Sequence, residues 1–321
     1  MNTRAFYDLP APAKLNLFLH VVGRRPDGYH LLQSVFTLID WADTLHVERR
    51  DDGQLRRHDL GPALPETDLC LKAAQALQQA SGTHWGVDIS VDKQVPWGAG
   101  MGGGSSDAAT TLLALNRLWQ LDWPLERLLA LGLRLGADVP FFLGGRPAFV
   151  EGIGERLTPI TLPAARYAVV KPAEGIATAA LFSSSLLTRD HEPVIVTGFL
   201  ADLQKLETGA AAPQAFGAAG GSFEAFGNND LQLAAEALCP AVRAVGQWLQ
   251  ARYGNSRMTG SGSAVFARVD ASGTGDQPVA TGPRGELQGL PTGWVGRLCR
   301  GLDAHPLADW AHRLEAPPAK V

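Results

Sequence analysis

Cysteine is scarce in this chain. There are three, Cys70, Cys239 and Cys299, far apart and odd in number. No two have the close spacing of a zinc-ligand pair, so they read as buried, reduced thiols rather than a disulfide framework. Long apolar runs are missing too: no stretch reaches the ~18 residues that a membrane span needs. The opening Met1-Asn2-Thr3-Arg4-Ala5-Phe6-Tyr7-Asp8 carries an acid and no apolar run, unlike a secretory signal. Nor is there surplus positive charge. The net charge is −4, which argues against nucleic acid or an anionic membrane as partner. The expectation is a cytoplasmic protein with a small-molecule substrate, a monomer or weak homodimer.

Length and glycine are what the chain has. Its 321 residues suit two domains of about 100–200 residues each. A break in pattern near 152–163 suggests domains at 1–155 and 156–321. Ala13 to Val22 alternates: Leu15, Leu17, Leu19 and Val21 face one way, and Lys14, Asn16, Phe18 and His20 the other. Such a strand has one core face, and its polar face reads by default as solvated. Further strands are expected at Ser34–Ile39, Thr44–Glu48 and Val87–Asp92. A helix capped by Thr67 or Asp68 runs to about Ala80 and stops at Gly82. Others span about Ser105 to Trp119 and Pro124 to Leu135. Val139 precedes Pro140 and is biased to an extended shape, which places Asp138 in a stiff, non-helical connection. Farther on, Tyr167–Lys171 reads as a strand, Ala177–Leu187, Asp230–Leu238 and Ala241–Tyr253 as helices, and Arg257–Thr259 and Ser263–Val269 as strands around Gly260-Ser261-Gly262. Residues 209–227 and 273–293 are rich in glycine with alanine or proline and read as loops.

The most informative segment is Pro96-Trp97-Gly98-Ala99-Gly100-Met101-Gly102-Gly103-Gly104-Ser105-Ser106, followed by Asp107-Ala108-Ala109. A strand enters and a helix leaves. The glycines free the backbone for positive φ and remove side chains that would block a ligand's approach. Successive N–H groups can then turn toward an anion, helped by the start of the helix. Ser105 and Ser106 add hydroxyl donors. These are the needs of a polyphosphate site. No Lys-Ser or Lys-Thr follows the glycines, so this is not a Walker A loop. Gly98-x-Gly100-x-x-Gly103 formally matches a dinucleotide fingerprint, and Asp122 lies near the expected acidic position. Yet Asp122 follows a helix rather than a second strand.

Three segments together resemble the GHMP kinases: Pro12-Ala13-Lys14-Leu15-Asn16-Leu17, the loop from Pro96 to Ala109, and Arg257-Met258-Thr259-Gly260-Ser261-Gly262-Ser263-Ala264-Val265-Phe266. The resemblance implies an α+β, two-domain fold, with a ribosomal protein S5 domain 2-like N-terminal domain and a ferredoxin-like C-terminal domain. It implies ATP as phosphoryl donor at Pro96 to Ser106, with Mg2+ held mainly by nucleotide and water rather than by a dedicated protein cage; the sequence assigns no metal ligand. Lys14 and Asp138 would be the catalytic pair at an acceptor hydroxyl. A carboxylate can orient the alcohol or accept its proton, while an ammonium keeps that carboxylate ionised and offsets phosphoryl charge.

Arg25-Pro26-Asp27-Gly28-Tyr29-His30, Gly136-Ala137-Asp138-Val139-Pro140-Phe141-Phe142 and Asn229-Asp230-Leu231 narrow the resemblance. They are similar to the branch that phosphorylates the 2-hydroxyl of a cytidine-diphosphate-linked methylerythritol on the non-mevalonate route to isoprenoid precursors. In that branch Asn16 would bind the polyol or the acceptor hydroxyl. His30 would hydrogen-bond the pyrimidine edge, with Tyr29 stacking on the base and Phe182 closing its other side. The Gly260-Ser261-Gly262 turn would approach the phosphates. Met101 replaces the usual leucine at similar volume, and residues 273–293 replace a helix usual after the last signature strand. Other readings are another GHMP small-molecule kinase, an NAD(P)-dependent oxidoreductase through the formal fingerprint, and a non-catalytic ligand sensor on the same scaffold.

Overall fold

The structure is a computed structural model, and it describes residues 3–61, 63–65, 68–189, 191–193, 227–269 and 280–312. Its spine is one long strand. β1 (Ala5–Arg24) and β2 (His30–Arg50) form an antiparallel ribbon from Ala5↔Glu48 to Arg24↔His30. Ser34–Ile39 and Thr44–Glu48, expected as two strands, are thus parts of one. Four register shifts along the ribbon, including those at Pro12/Ala13 and Asn16/Leu19, bend and twist it. The other edge of β2 is shared in sequence by β5 (Ala148–Gly152), β10 (Val295–Leu302) and β4 (Gly86–Asp92). Strand order is β3-β4-β2-β10-β7-β9-β8, with β3 (Leu55–Asp59), β7 (Arg166–Lys171), β8 (Arg257–Met258) and β9 (Val265–Val269). β6 (Arg156–Pro159) pairs with β5, so the break expected near 152–163 is a hairpin. Of these pairings only β3–β4 is parallel.

α1 (Leu69–Ser81), α2 (Gly103–Leu118), α3 (Leu125–Leu135) and α4 (Val139–Gly144) pack on the β1/β2/β4 end through Leu77, Leu112, Leu115, Leu128 and Phe142. Of the two caps expected for α1, Asp68 serves, accepting from Leu71 N–H at 3.0 Å; Gly82 closes the helix at φ 69°. α5 (Thr178–Ser183), shorter than expected, and α6 (Gln232–Leu238) and α7 (Pro240–Tyr253) cover β7 and β9. A third apolar cluster joins the two ends, with Leu15, Val35 and Ile39 touching a set that includes Val169 and Phe266.

Three expectations change. The polar face of β1 is not solvated: Lys14, Asn16, Phe18 and His20 are all buried. The second edge of β1 is closed by distant chain, as Lys14 N–H donates to Met101 O and Leu19 N–H to Asn228 O. Asp138 lies, as expected, in the short connection between α3 and α4, but the next residue is not extended. Asp138 is the N-cap of α4, and Val139 is helical, because Pro140 lies in the first turn, where no intrahelical N–H is required of it. Finally, β10 was not legible, yet it joins β2 to β7. Residues 209–226 and 270–279 lie outside the described residues; 280–294 holds turns and bridges and no helix.

Candidate active site

The glycine loop leaves β4 and enters α2. Gly98, Gly100 and Gly102 have φ of 60°, 72° and 69°, in the left-handed region. The loop packs backbone to backbone against the Gly260-Ser261-Gly262 turn: Ser263 N–H donates to Gly98 O at 3.0 Å and Ala264 N–H to Ala99 O at 3.2 Å. α2 begins at Gly103, and its N-cap Gly102 offers no side chain, so no side-chain oxygen caps the first turn of the helix. These walls enclose a cavity of about 440 Å³ lined by Gly98 to Gly104, with Trp97, Lys93, Asp68 and Ile176 among its other walls. Of the two serines, Ser105 is partly exposed, whereas the Ser106 hydroxyl donates to Pro12 O at 2.7 Å and so ties the helix to β1.

A second cavity of about 280 Å³ lies on the other side of the same glycines. Lys14 and Asn16 project into it from β1, Ser34 and Phe36 from β2, and Asp138 from the start of α4. Lys14 Nζ stands 3.7 Å from Asp138 Oδ2, donates to Asn16 Oδ1 at 2.5 Å, and lies 4.2 Å from the centre of the Phe36 ring. Burial pushes the Lys14 amine below its ordinary pKa, and the Asp138 carboxylate pulls it back up. Lys14 is 4% exposed and Asp138 31%, so the carboxylate is the member open to a ligand. Asn16 is held from three sides, by Lys14, by Ser34 Oγ at 3.0 Å and by the Thr259 hydroxyl.

Gly100, Gly102, Thr178 and Ser261 line both cavities. The Thr178 and Ser261 hydroxyls are 2.9 Å apart and tie α5 to the second glycine turn where both line the two cavities. The sequence reading missed Thr178, Ser34 and Phe36, because they come from separate elements with no motif to join them. Asn229, read only as part of a motif, donates to Met258 O and Gly260 O at 2.8 Å and so braces the second glycine turn.

The three aromatic residues divide. His30 and Phe182 stack at 4.8 Å with 22° between their planes, too close to admit a base between them without opening. Tyr29 is 61% exposed. Buried His30 Nε2 has no partner among the described residues, and burial, with Arg24 and Arg189 nearby, holds the imidazole below its ordinary pKa and so neutral. Asp122 lies exposed in the turn after α2, and the loop follows β4 of a mainly antiparallel sheet. Neither is the placement a dinucleotide fold requires.

The description "GHMP kinases N terminal domain" matches residues 68–146, and "GHMP kinases C terminal" matches 207–277. A 4-diphosphocytidyl-2-C-methyl-D-erythritol kinase of Methylibium petroleiphilum is 59% identical over 311 residues, covering 97% of this chain and 100% of the relative. The chain belongs to the GHMP kinases. A second relative of that name, from Variovorax paradoxus, is 56% identical, covering 96% of this chain and 99% of its own length. A crystal structure of 4-(cytidine 5'-diphospho)-2C-methyl-D-erythritol kinase superposes with a TM-score of 0.65 at 37% identity, covering 82% of this chain and 90% of that one. Among the described residues no helix is long and apolar enough to cross a membrane, and no group of three or more His, Cys, Asp or Glu could hold a metal ion.

Proposed function

We propose that this chain transfers the γ-phosphoryl group of ATP to the 2-hydroxyl of 4-diphosphocytidyl-2-C-methyl-D-erythritol. The observation that carries the reading is the Lys14–Asp138 pair, 3.7 Å apart, in the cavity that shares Gly100 and Gly102 with the phosphate cradle. The relatives' names supply the acceptor.

The cradle fits a polyphosphate. A Cβ on Gly102 would meet Phe142 at 2.9 Å, and one on Gly103 would meet Val95 at 3.2 Å, so only glycine leaves this backbone bare. Amides from Trp97 through Gly104, with Ser105, hold the phosphates; Ser106 supports them through Pro12. Magnesium arriving with the nucleotide neutralises charge on its phosphate oxygens. On the acceptor side, Asp138 accepts the hydrogen bond of the attacking hydroxyl and takes its proton as the new O–P bond forms and the bond from the γ-phosphorus to the β–γ bridging oxygen breaks, ADP leaving with that electron pair. Lys14 keeps that carboxylate ionised and offsets charge on the transferring group. Asn16, fixed by Ser34 and Thr259, orients the polyol.

His30 and Phe182 separate to admit the cytosine, with His30 Nε2 on its edge; Tyr29, exposed beside them, folds over as the outer platform. The catalytic unit divides at about 155/156, which leaves one matched family segment on each side. The enzyme acts in the cytoplasm, as a monomer or weak homodimer. The test is ADP release from Mg-ATP with the diphosphocytidyl substrate, compared with mevalonate and homoserine. Turnover with the first alone supports the reading; turnover only with another alcohol overturns the assigned substrate.

A further inference from the structure

Three side chains beneath the glycine loop are not used by the reaction as described. Lys93, one residue beyond β4, donates to Asp43 Oδ2 of β2 and, at 2.6 Å, to Asp107 Oδ2 of α2. Their side chains are 10%, 0% and 6% exposed, respectively. Asp43 Oδ1 accepts from the Gln94 and Val95 amides at 2.6 and 2.7 Å, so that carboxylate is fully satisfied. Asp107 is not: its Oδ1 is buried with no partner among the described residues.

The cluster brackets the loop, with Lys93 before Pro96 and Asp107 just after Ser106, and both line the 440 Å³ cavity. A Cβ on Gly103 would stand 3.4 Å from Lys93 Nζ, so the ammonium lies directly under the start of α2. With both acids ionised, two negative charges share one positive charge where polyphosphate must sit. We propose that nucleotide binding at this loop draws a solvent proton onto Asp107. The surplus negative charge beneath the phosphates is thereby cancelled, and Asp107 makes ATP affinity depend on pH.

The surroundings support this. Burial and the neighbouring Asp43 push the Asp107 carboxyl up to about 8, and Lys93 opposes them only in part. The other titratable groups nearby are set by burial or engaged with partners of their own. Burial raises the Cys70 thiol of α1 well above its ordinary value, burial holds His305, which reaches Thr110 one turn along α2, neutral, and Lys93, which burial lowers, is raised on balance by its two carboxylates. Lys14 of β1 is turned to Asp138, and Asp68 at the start of α1 is paired with Arg57 at 3.2 Å. Protonated Asp107 forgoes the charge attraction of Lys93 but still accepts its hydrogen bond, and the cluster beneath the phosphates becomes one charge less negative. A bound anion therefore favours the protonated form, and by linkage the protonated form favours the anion.

The inference rests on ATP binding at the loop, and the experiment separates the two. Mg-ATP is titrated calorimetrically into the full chain near pH 8 in two buffers of different ionisation enthalpy. A shift of Asp107 by about one pKa unit gives uptake of about 0.4 proton per nucleotide and a Kd that rises about fivefold from about pH 7 to about pH 9. Asp107→Asn should abolish the uptake, flatten the profile and bind ATP more tightly than the parent at the alkaline end. Infrared difference spectra of the parent on ATP binding give a second reading, a gain in the C=O stretch of a protonated carboxylic acid. Heat of binding with no proton uptake by the parent, or equal uptake by the parent and Asp107→Asn, overturns the proposal. Absence of any nucleotide binding by the parent overturns the kinase reading and this inference with it.

Discussion

A Cβ placed on Gly100 would stand 2.3 Å from the carbonyl oxygen of Thr259 and 2.8 Å from the Gly262 nitrogen. The phosphate loop and the second glycine turn are therefore in contact through bare backbone, and Gly100 also holds φ 72°. Gly100→Ala should part the two turns. The left-handed backbone alone costs about 1–2 kcal/mol, and the overlap adds to it. A lower melting temperature and ATP affinity reduced more than about tenfold are expected. Gly104→Ala meets only Leu69 Cδ1 at 3.6 Å and lies inside a helix, so its melting temperature should match or exceed the parent's. Equal melting temperatures and affinities for Gly100→Ala and the parent would contradict the contact.

Phe182 stacks on His30 and lines the acceptor cavity. Phe182→Ala should raise KM for the diphosphocytidyl substrate by about five- to a hundredfold, the worth of one base–aromatic stack, and leave KM for ATP unchanged. Steady-state kinetics with each substrate varied in turn checks this. A change confined to ATP would contradict the placement of Phe182 in the acceptor cavity.

His305 is buried beside α2, and burial pulls its imidazole down to about 4. Nδ1 accepts from Leu307 N–H at 3.0 Å, which requires that nitrogen to be unprotonated. The unfolded imidazole takes a proton near its ordinary 6.5, whereas the folded one resists until about 4. Stability is therefore whole above about pH 6.5 and lost as pH falls toward 4, by up to about 3 kcal/mol from this group. His305→Asn keeps an acceptor for Leu307 without the titration. Denaturant midpoints across that range should fall more steeply for the parent than for the variant; parallel slopes would contradict the assignment.

Much of the site was legible because it is local. The alternation at 13–22 placed Lys14 and Asn16 on one face, and the glycine run placed a bare-backbone turn between strand and helix. What was not legible depends on distant partners. Nothing near Lys14 announces that Met101 and Asn228 close the second edge of β1, so that face read as solvated. Val139-Pro140 reads as extended because a residue before proline is biased away from the helical region, whereas the first turn of a helix tolerates proline. β10 contains Gly296 and Gly301 among mixed polarity, and only its pairing with both β2 and β7 makes it a strand. Thr178 and Ser34 carry no signal of their own; the fold alone brings Thr178 to both cavities and Ser34 to the second.

The central claim is that Asp138, paired with Lys14, handles the acceptor hydroxyl while the glycine loop holds the nucleotide. Single-turnover phosphoryl transfer and Mg-ATP titration of Asp138→Ala test it together. The account predicts transfer slowed by about a hundredfold or more, with Kd for ATP changed less than about threefold. Transfer at the parent's rate, with ATP bound as tightly as before, would contradict it.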